Sequence, residues 1–128
     1  LNAVVHTHSP YATAFSVAYQ PIPVITETMA NWFGQPVQVT RYLSVEDPEF
    51  STLPVKVMGN GYAVLLGNHG PITVGKTLEH ALERAVTLEE AARTYSIART
   101  INVPVTLTEE QARASFDYYH NRYGQKKS

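Results

Sequence analysis

The chain has 128 residues, 44% of them apolar and 16% charged, with 10 basic and 11 acidic side chains that leave a formal net charge of -1. That length fits one domain or part of one. The apolar content excludes disorder, and the balanced charge lacks the basic stripe of a dedicated nucleic-acid binder. With no cysteine in the sequence, disulfide scaffolds, cysteine-ligated zinc and thiol nucleophiles are excluded. The longest aliphatic run, Ala63-Val64-Leu65-Leu66, is four residues, far short of the roughly 20 that a membrane helix needs.

The chain enters on Leu1 directly into a strand-like segment, Ala3 to Thr7, which predicts that part of the domain precedes it. Ser9-Pro10 is a helix start, serine as N-cap and proline at the first helical position, for a helix to about Val17. Pro21 and Pro23 end it. Val24 to Thr26 reads as a short strand, Glu27 to Phe33 as a short helix closed by Gly34, and Val37 to Tyr42 as an alternating strand. The acidic run Glu46 to Glu49 reads as a solvated loop. Leu53 to Met58 fits either a helix with Pro54 in its first turn or a strand. After the Asn60-Gly61 turn, Tyr62 to Gly67 is a fully buried strand.

Thr77 to Ala98 is the strongest helix. Leu78, Ala81, Leu82, Ala85, Leu88, Ala92 and Tyr95 recur at helical spacing on one face, with an i, i+4 pair, Glu89 and Arg93, on the other. Thr108-Glu109-Glu110-Gln111 is a capping box opening a last helix whose stripe is Ala112, Phe116, Tyr119 and Tyr123. Strands alternate with helices, so the class is α/β or α+β, and residues 1–128 form a single domain, N-terminally incomplete.

Two histidine groups stand out. In His6-Thr7-His8, residues i and i+2 of a strand share a face, so two imidazoles can reach one ion. The plainer alternative is two solvated histidines at a strand end. In Leu65-Leu66-Gly67-Asn68-His69-Gly70, a buried strand delivers a histidine between glycines; alone, this is a strand-to-loop corner. Together they place three histidines at strand ends, where sites in α/β folds collect. Three histidines with an open position is the usual form of a catalytic zinc site. His80, beside Glu83 and Arg84 on the polar face of the long helix, and His120 read as surface residues.

Ala3-Val4-Val5-His6-Thr7-His8-Ser9-Pro10 resembles the metal-binding strand of the class II aldolase/adducin family. Leu65 to Gly75 resembles that family's second metal segment, Thr77 to Ala92 the helix that follows, and Arg122-Tyr123-Gly124-Gln125 its C-terminal end. The resemblance implies a three-layer α/β/α fold with a mainly antiparallel or mixed central sheet. It implies that His6, His8 and His69 bind zinc or another divalent ion such as manganese, which holds enediolate oxygens of a small sugar phosphate while a carbon–carbon bond breaks or a proton moves. It implies that Tyr123 assists catalysis, and that the enzyme is a cytoplasmic homotetramer with sites between subunits. The family's catalytic glutamate and phosphate loops fall before the first metal histidine, so this chain alone is expected to bind metal and catalyse poorly. Glu27 stands where the fuculose-phosphate branch has an aromatic residue, which points away from that particular substrate. The same scaffold carries epimerases, dehydratases and decarboxylases, and the adducin head domains use it without metal chemistry.

Overall fold

A computed structural model describes residues 2–121. Its elements are β1 (Ala3–His6), α1 (Pro10–Ala18), α2 (Glu27–Phe33), α3 (Leu53–Met58), β2 (Ala63–Leu66), β3 (Gly70–Gly75), α4 (Leu78–Ile101) and α5 (Glu109–Asn121). The strands pair in the order β1-β3-β2, and β3 is antiparallel to both neighbours. It follows that β1 and β2 run parallel to each other, and their C-terminal ends meet at the end of the sheet where β3 begins. His6 closes β1 there, and the β2–β3 turn carries His69 to the same edge.

β3 has no counterpart in the sequence-based assignment. Pro71, without an amide donor, and glycines at both ends mask the strand signature, although β3 is the centre of the sheet. The strand expected at 24–26 does not form, and the one expected at 37–42 is reduced to two single bridges, Val37 with Ile22 and, in parallel sense, Val39 with Leu65. Thr26 instead caps α2, its hydroxyl accepting from the Met29 amide at 3.1 Å. At 53–58 the helix is the form realised.

The core joins α1, α2, α4 and the sheet; Ile22, Met29, Phe33, Val37, Leu65 and Leu88 are fully buried. The long helix uses a rotated version of the expected face. Ala81, Leu88 and Ala92 are buried as expected, but Leu78 and Leu82 are 66% and 53% exposed, while Arg84, Thr87 and Ala91 turn inward. Arg84 tolerates this because its Nε donates to the Trp32 carbonyl at 2.9 Å and its Nη1 to the Val74 carbonyl at 3.0 Å. Its guanidinium also lies 3.9 Å from the Tyr62 ring centre, a cation–π contact that replaces part of its lost hydration.

Two acidic groups make contacts other than those their local sequence predicts. The loop of Glu46 to Glu49 is tied to Arg41, which contacts Asp47 and Glu49 at 2.8 Å each. Glu89 reaches across to α1, where its carboxylate accepts from the amides of Tyr11 at 3.0 Å and Ala12 at 2.9 Å. The Ser9 side chain makes no cap bond to that helix. The capping box of α5 forms in both directions, Gln111 amide to Thr108 hydroxyl at 3.0 Å and Thr108 amide to the Gln111 side chain at 2.9 Å.

Candidate metal centre

Strand alternation puts Val4, His6 and His8 on the exposed face of the β1 segment and Ala3, Val5 and Thr7 on the more buried one. The β2–β3 connection has three residues, Gly67, Asn68 and His69, with Asn68 in the left-handed region at φ 60°. The His69 amide donates to the Leu66 carbonyl at 3.0 Å, which holds the turn. Gly70 lets this turn reach β1. A Cβ there would sit 2.5 Å from the Thr7 carbonyl oxygen, and its φ of +154° is one that L side chains rarely adopt.

The three imidazoles form one cluster. Ring centres of His6 and His8 are 5.0 Å apart, of His6 and His69 4.8 Å, and of His8 and His69 5.0 Å. One nitrogen from each lies within 4.8 Å of the others. The Nδ1 of His6 faces the Pro71 carbonyl oxygen at 2.9 Å. A carbonyl only accepts, so in neutral His6 the proton is on Nδ1 and the lone pair on Nε2 faces the cluster. That Nε2 is 3.3 Å from Nε2 of His69. Two nitrogens bound tetrahedrally to zinc at about 2.0–2.1 Å are themselves about 3.3–3.4 Å apart, so this pair fits one edge of such a site. His69 is half-buried and the other two are exposed. Its pKa is held below the ordinary histidine value, first by burial and then by the neighbouring His6 and His8. That favours the neutral form, which is the metal-binding form.

Other candidates fall elsewhere. His80 is exposed, its ring 5.9 Å from that of Trp32. His120, expected at the surface, is half-buried; it stacks on Phe116 at 3.9 Å and its Nδ1 is 2.9 Å from the Phe116 carbonyl oxygen. Glu27 accepts from the Ser115 hydroxyl at 3.2 Å. Tyr123 lies outside the described residues. Sequence reasoning did not find the supports: Pro71 behind His6, Glu89 at the start of α1, and Tyr19, whose hydroxyl donates to the Asn68 side chain. Each acts across 49 or more positions, beyond the reach of any local motif.

The sheet edge thus gathers three imidazoles that could hold a metal ion, and comparison with known proteins gives the family. The family described as class II aldolase and adducin N-terminal domain matches residues 1–96; the chain belongs to that family and has its fold. It is 35% identical over 95 residues to a 5-methylthioribulose-1-phosphate/5-deoxyribulose-1-phosphate aldolase of Rhodospirillum rubrum, covering 74% of this chain and 43% of that protein. It is 37% identical over 113 residues to an L-ribulose-5-phosphate 4-epimerase of Salmonella paratyphi B, covering 80% and 50%. The structure of an L-fuculose 1-phosphate aldolase superposes with a TM-score of 0.86 at 27% identity, over 91% of this chain and 55% of the other. The chain thus spans about half the length of the proteins it matches.

Proposed function

We propose that this chain is the metal-binding part of a divalent-metal-dependent aldolase that cleaves a small ketose phosphate or related sugar through an enediolate. His6, His8 and His69 are its metal ligands, for zinc or another divalent ion such as manganese. The observation that carries this reading is the convergence of three imidazoles from two strand ends, one of them oriented by the Pro71 carbonyl so that its lone pair faces the others.

A divalent cation held there supplies Lewis-acid polarisation of a substrate carbonyl. The chain's own residues do the rest. The imidazoles of His6 and His8 are exposed, which leaves the site accessible to a small molecule. Burial keeps His69 neutral and so available as a donor. Tyr123 is assigned a proton-moving role by its place in the Arg122-Tyr123-Gly124-Gln125 segment, and a carboxylate from outside these 128 residues is assigned the other half of the acid–base work. Assembly as a cytoplasmic homotetramer belongs to the same reading. Its support is the low charged content and the row of exposed apolar side chains on α4, Leu78, Leu82, Val86, Ile97 and Ile101.

Cleavage of a panel of ketose phosphates by the whole protein, with and without chelator, tests the proposal. Aldehyde release that chelator abolishes and metal restores is the expected result; chelator-insensitive turnover would overturn it. Epimerisation is the second reading, favoured by the 37% identity to an epimerase. A stereoisomer of the substrate, in place of two shorter products, would establish it.

A further inference from the structure

The β2–β3 turn that bears His69 lies along α1. Gly70 sits beside Thr13, whose hydroxyl oxygen would be 3.4 Å from a Cβ at that position. Asn68 sits at the other end of the helix, its amide donating to the carbonyl of fully buried Ser16 at 3.3 Å. The residue that closes α1 there is Tyr19, in the left-handed conformation at φ 56°. That position normally favours glycine. The hydroxyl of Tyr19 donates to Asn68 Oδ1, and its ring covers Gly67 so closely that a Cβ on Gly67 would lie 2.8 Å from it. Asn68 is itself left-handed, at φ 60°. The two residues before His69 are therefore held from the end of α1: Gly67 between the tyrosine ring and Thr40, whose hydroxyl accepts from its amide at 3.3 Å, and Asn68 by the Ser16 carbonyl and the tyrosine hydroxyl.

The geometry points to Tyr19 as a positioning residue for the metal centre, one that touches neither ion nor substrate but sets where His69 presents its imidazole, acting through Asn68. This rests on the assignment of His6, His8 and His69 as metal ligands. A tyrosine held where glycine is easier has a reason to stay if its side chain fixes the turn. Groups that orient a metal ligand are typically worth about 10–100-fold in affinity, and Tyr19, acting one residue further out, belongs at the lower end.

The test is titration with Co2+, followed by its visible absorption, on the protein and on Tyr19→Phe, Asn68→Gly, the double variant and His69→Ala. Tyr19→Phe keeps the ring on Gly67 and removes only the donor; Asn68→Gly keeps the backbone conformation and removes the acceptor. Each is expected to weaken Co2+ binding by about three- to tenfold and to lower the intensity of the tetrahedral Co2+ bands. The double variant should be no weaker than the weaker single, because the two groups form one contact. Thermal melts of the metal-free proteins establish that each variant is folded; if Tyr19→Phe is not, Asn68→Gly carries the test. Unchanged affinity and spectrum in both single variants, or losses that multiply in the double, would overturn the role of Tyr19. His69→Ala separates this from the underlying assignment. If it binds Co2+ as the parent does, the metal centre itself is wrong; if it loses Co2+ while the others keep it, only the positioning role falls.

Discussion

The Nε2 atoms of His6 and His69 lie 3.3 Å apart although the residues are 63 positions apart in sequence. The His6 lone pair faces His69 because its other nitrogen is occupied by the Pro71 carbonyl. Without an ion, the contact is a single hydrogen bond from His69. With one, both nitrogens are ligands. The two cases differ in what His69→Ala does. We expect that substitution to weaken Zn2+ binding by more than about 100-fold, beyond the roughly 10–100-fold that mere orienting groups are worth. Competition with a chromophoric chelator measures it, and an unchanged affinity would show that the two histidines share no ion.

Acid should act on the same residue. His69 titrates below the ordinary histidine value of 6.5, first through burial and then through His6 and His8. The unfolded chain therefore takes up this proton at a higher pH than the folded one. The contribution of His69 to the stability of the metal-free protein is fully present above about pH 6.5 and is lost as the pH falls through the folded pKa. Metal release runs in the same direction, since protons compete for the imidazoles. Metal-free His69→Ala should show a shallower decline in melting temperature than the parent between about pH 6.5 and pH 5. Parallel curves would contradict the shift.

Much of this was legible from local patterns, because the relevant chemistry was local. The alternation of His6 and His8 on one face follows from the period of a strand. The capping box of Thr108 and Gln111 and the Gly34 stop are set within a few residues. What local patterns hid was decided by partners far along the chain. β3 is held as a central strand by pairing with both β1 and β2, against the preferences of Pro71. Arg84 is buried because Trp32 and Val74 offer carbonyls and Tyr62 a ring, so the polar face drawn through it was misplaced. The convergence of His69 with His6 and His8 depends on that same unseen β3; the motifs supplied the residue types, and the sheet supplied the distance.

Gly70 allows a sharper test of the sheet edge. In Gly70→Ala, φ +154° is strained and the new methyl meets the Thr7 carbonyl oxygen at 2.5 Å and His8 Cδ2 at 3.3 Å. Gly59 is a natural control: its φ is also positive, at +57°, but a Cβ there meets nothing within 4 Å. Gly59→Ala, at φ 57° and ψ -126°, should cost about 1–3 kcal/mol, the conformational term alone, and leave metal affinity unchanged. Gly70→Ala should cost more, about 2–4 kcal/mol, and weaken metal binding as β1 and His8 are pushed away. Urea denaturation with metal titration reads both effects. Equal costs and equal affinities in the two variants would mean that the close approach of Gly70 to β1 does not hold the site.

Glu89 sets the other end of α1, two residues beyond His8. Its carboxylate accepts from the Tyr11 and Ala12 amides at 3.0 and 2.9 Å, at the helix end where the macrodipole favours negative charge. Pro10 has no amide to satisfy, and the Ser9 side chain forms no cap bond. Removing the carboxylate in Glu89→Ala leaves two donors without this acceptor and should cost about 1–2 kcal/mol. Glu89→Gln keeps one acceptor oxygen and should cost roughly half of that. Arg93, four residues on and exposed, provides the contrast. If Glu89 caps α1 rather than pairing along α4, Arg93→Ala should change stability by no more than about 0.5 kcal/mol. Urea denaturation of the three variants decides it. A large loss on Arg93→Ala matching that of Glu89→Ala would restore the intrahelical ion pair that the i, i+4 spacing first predicts. A loss confined to Glu89 shows that α4 uses this carboxylate to anchor the helix that follows His8.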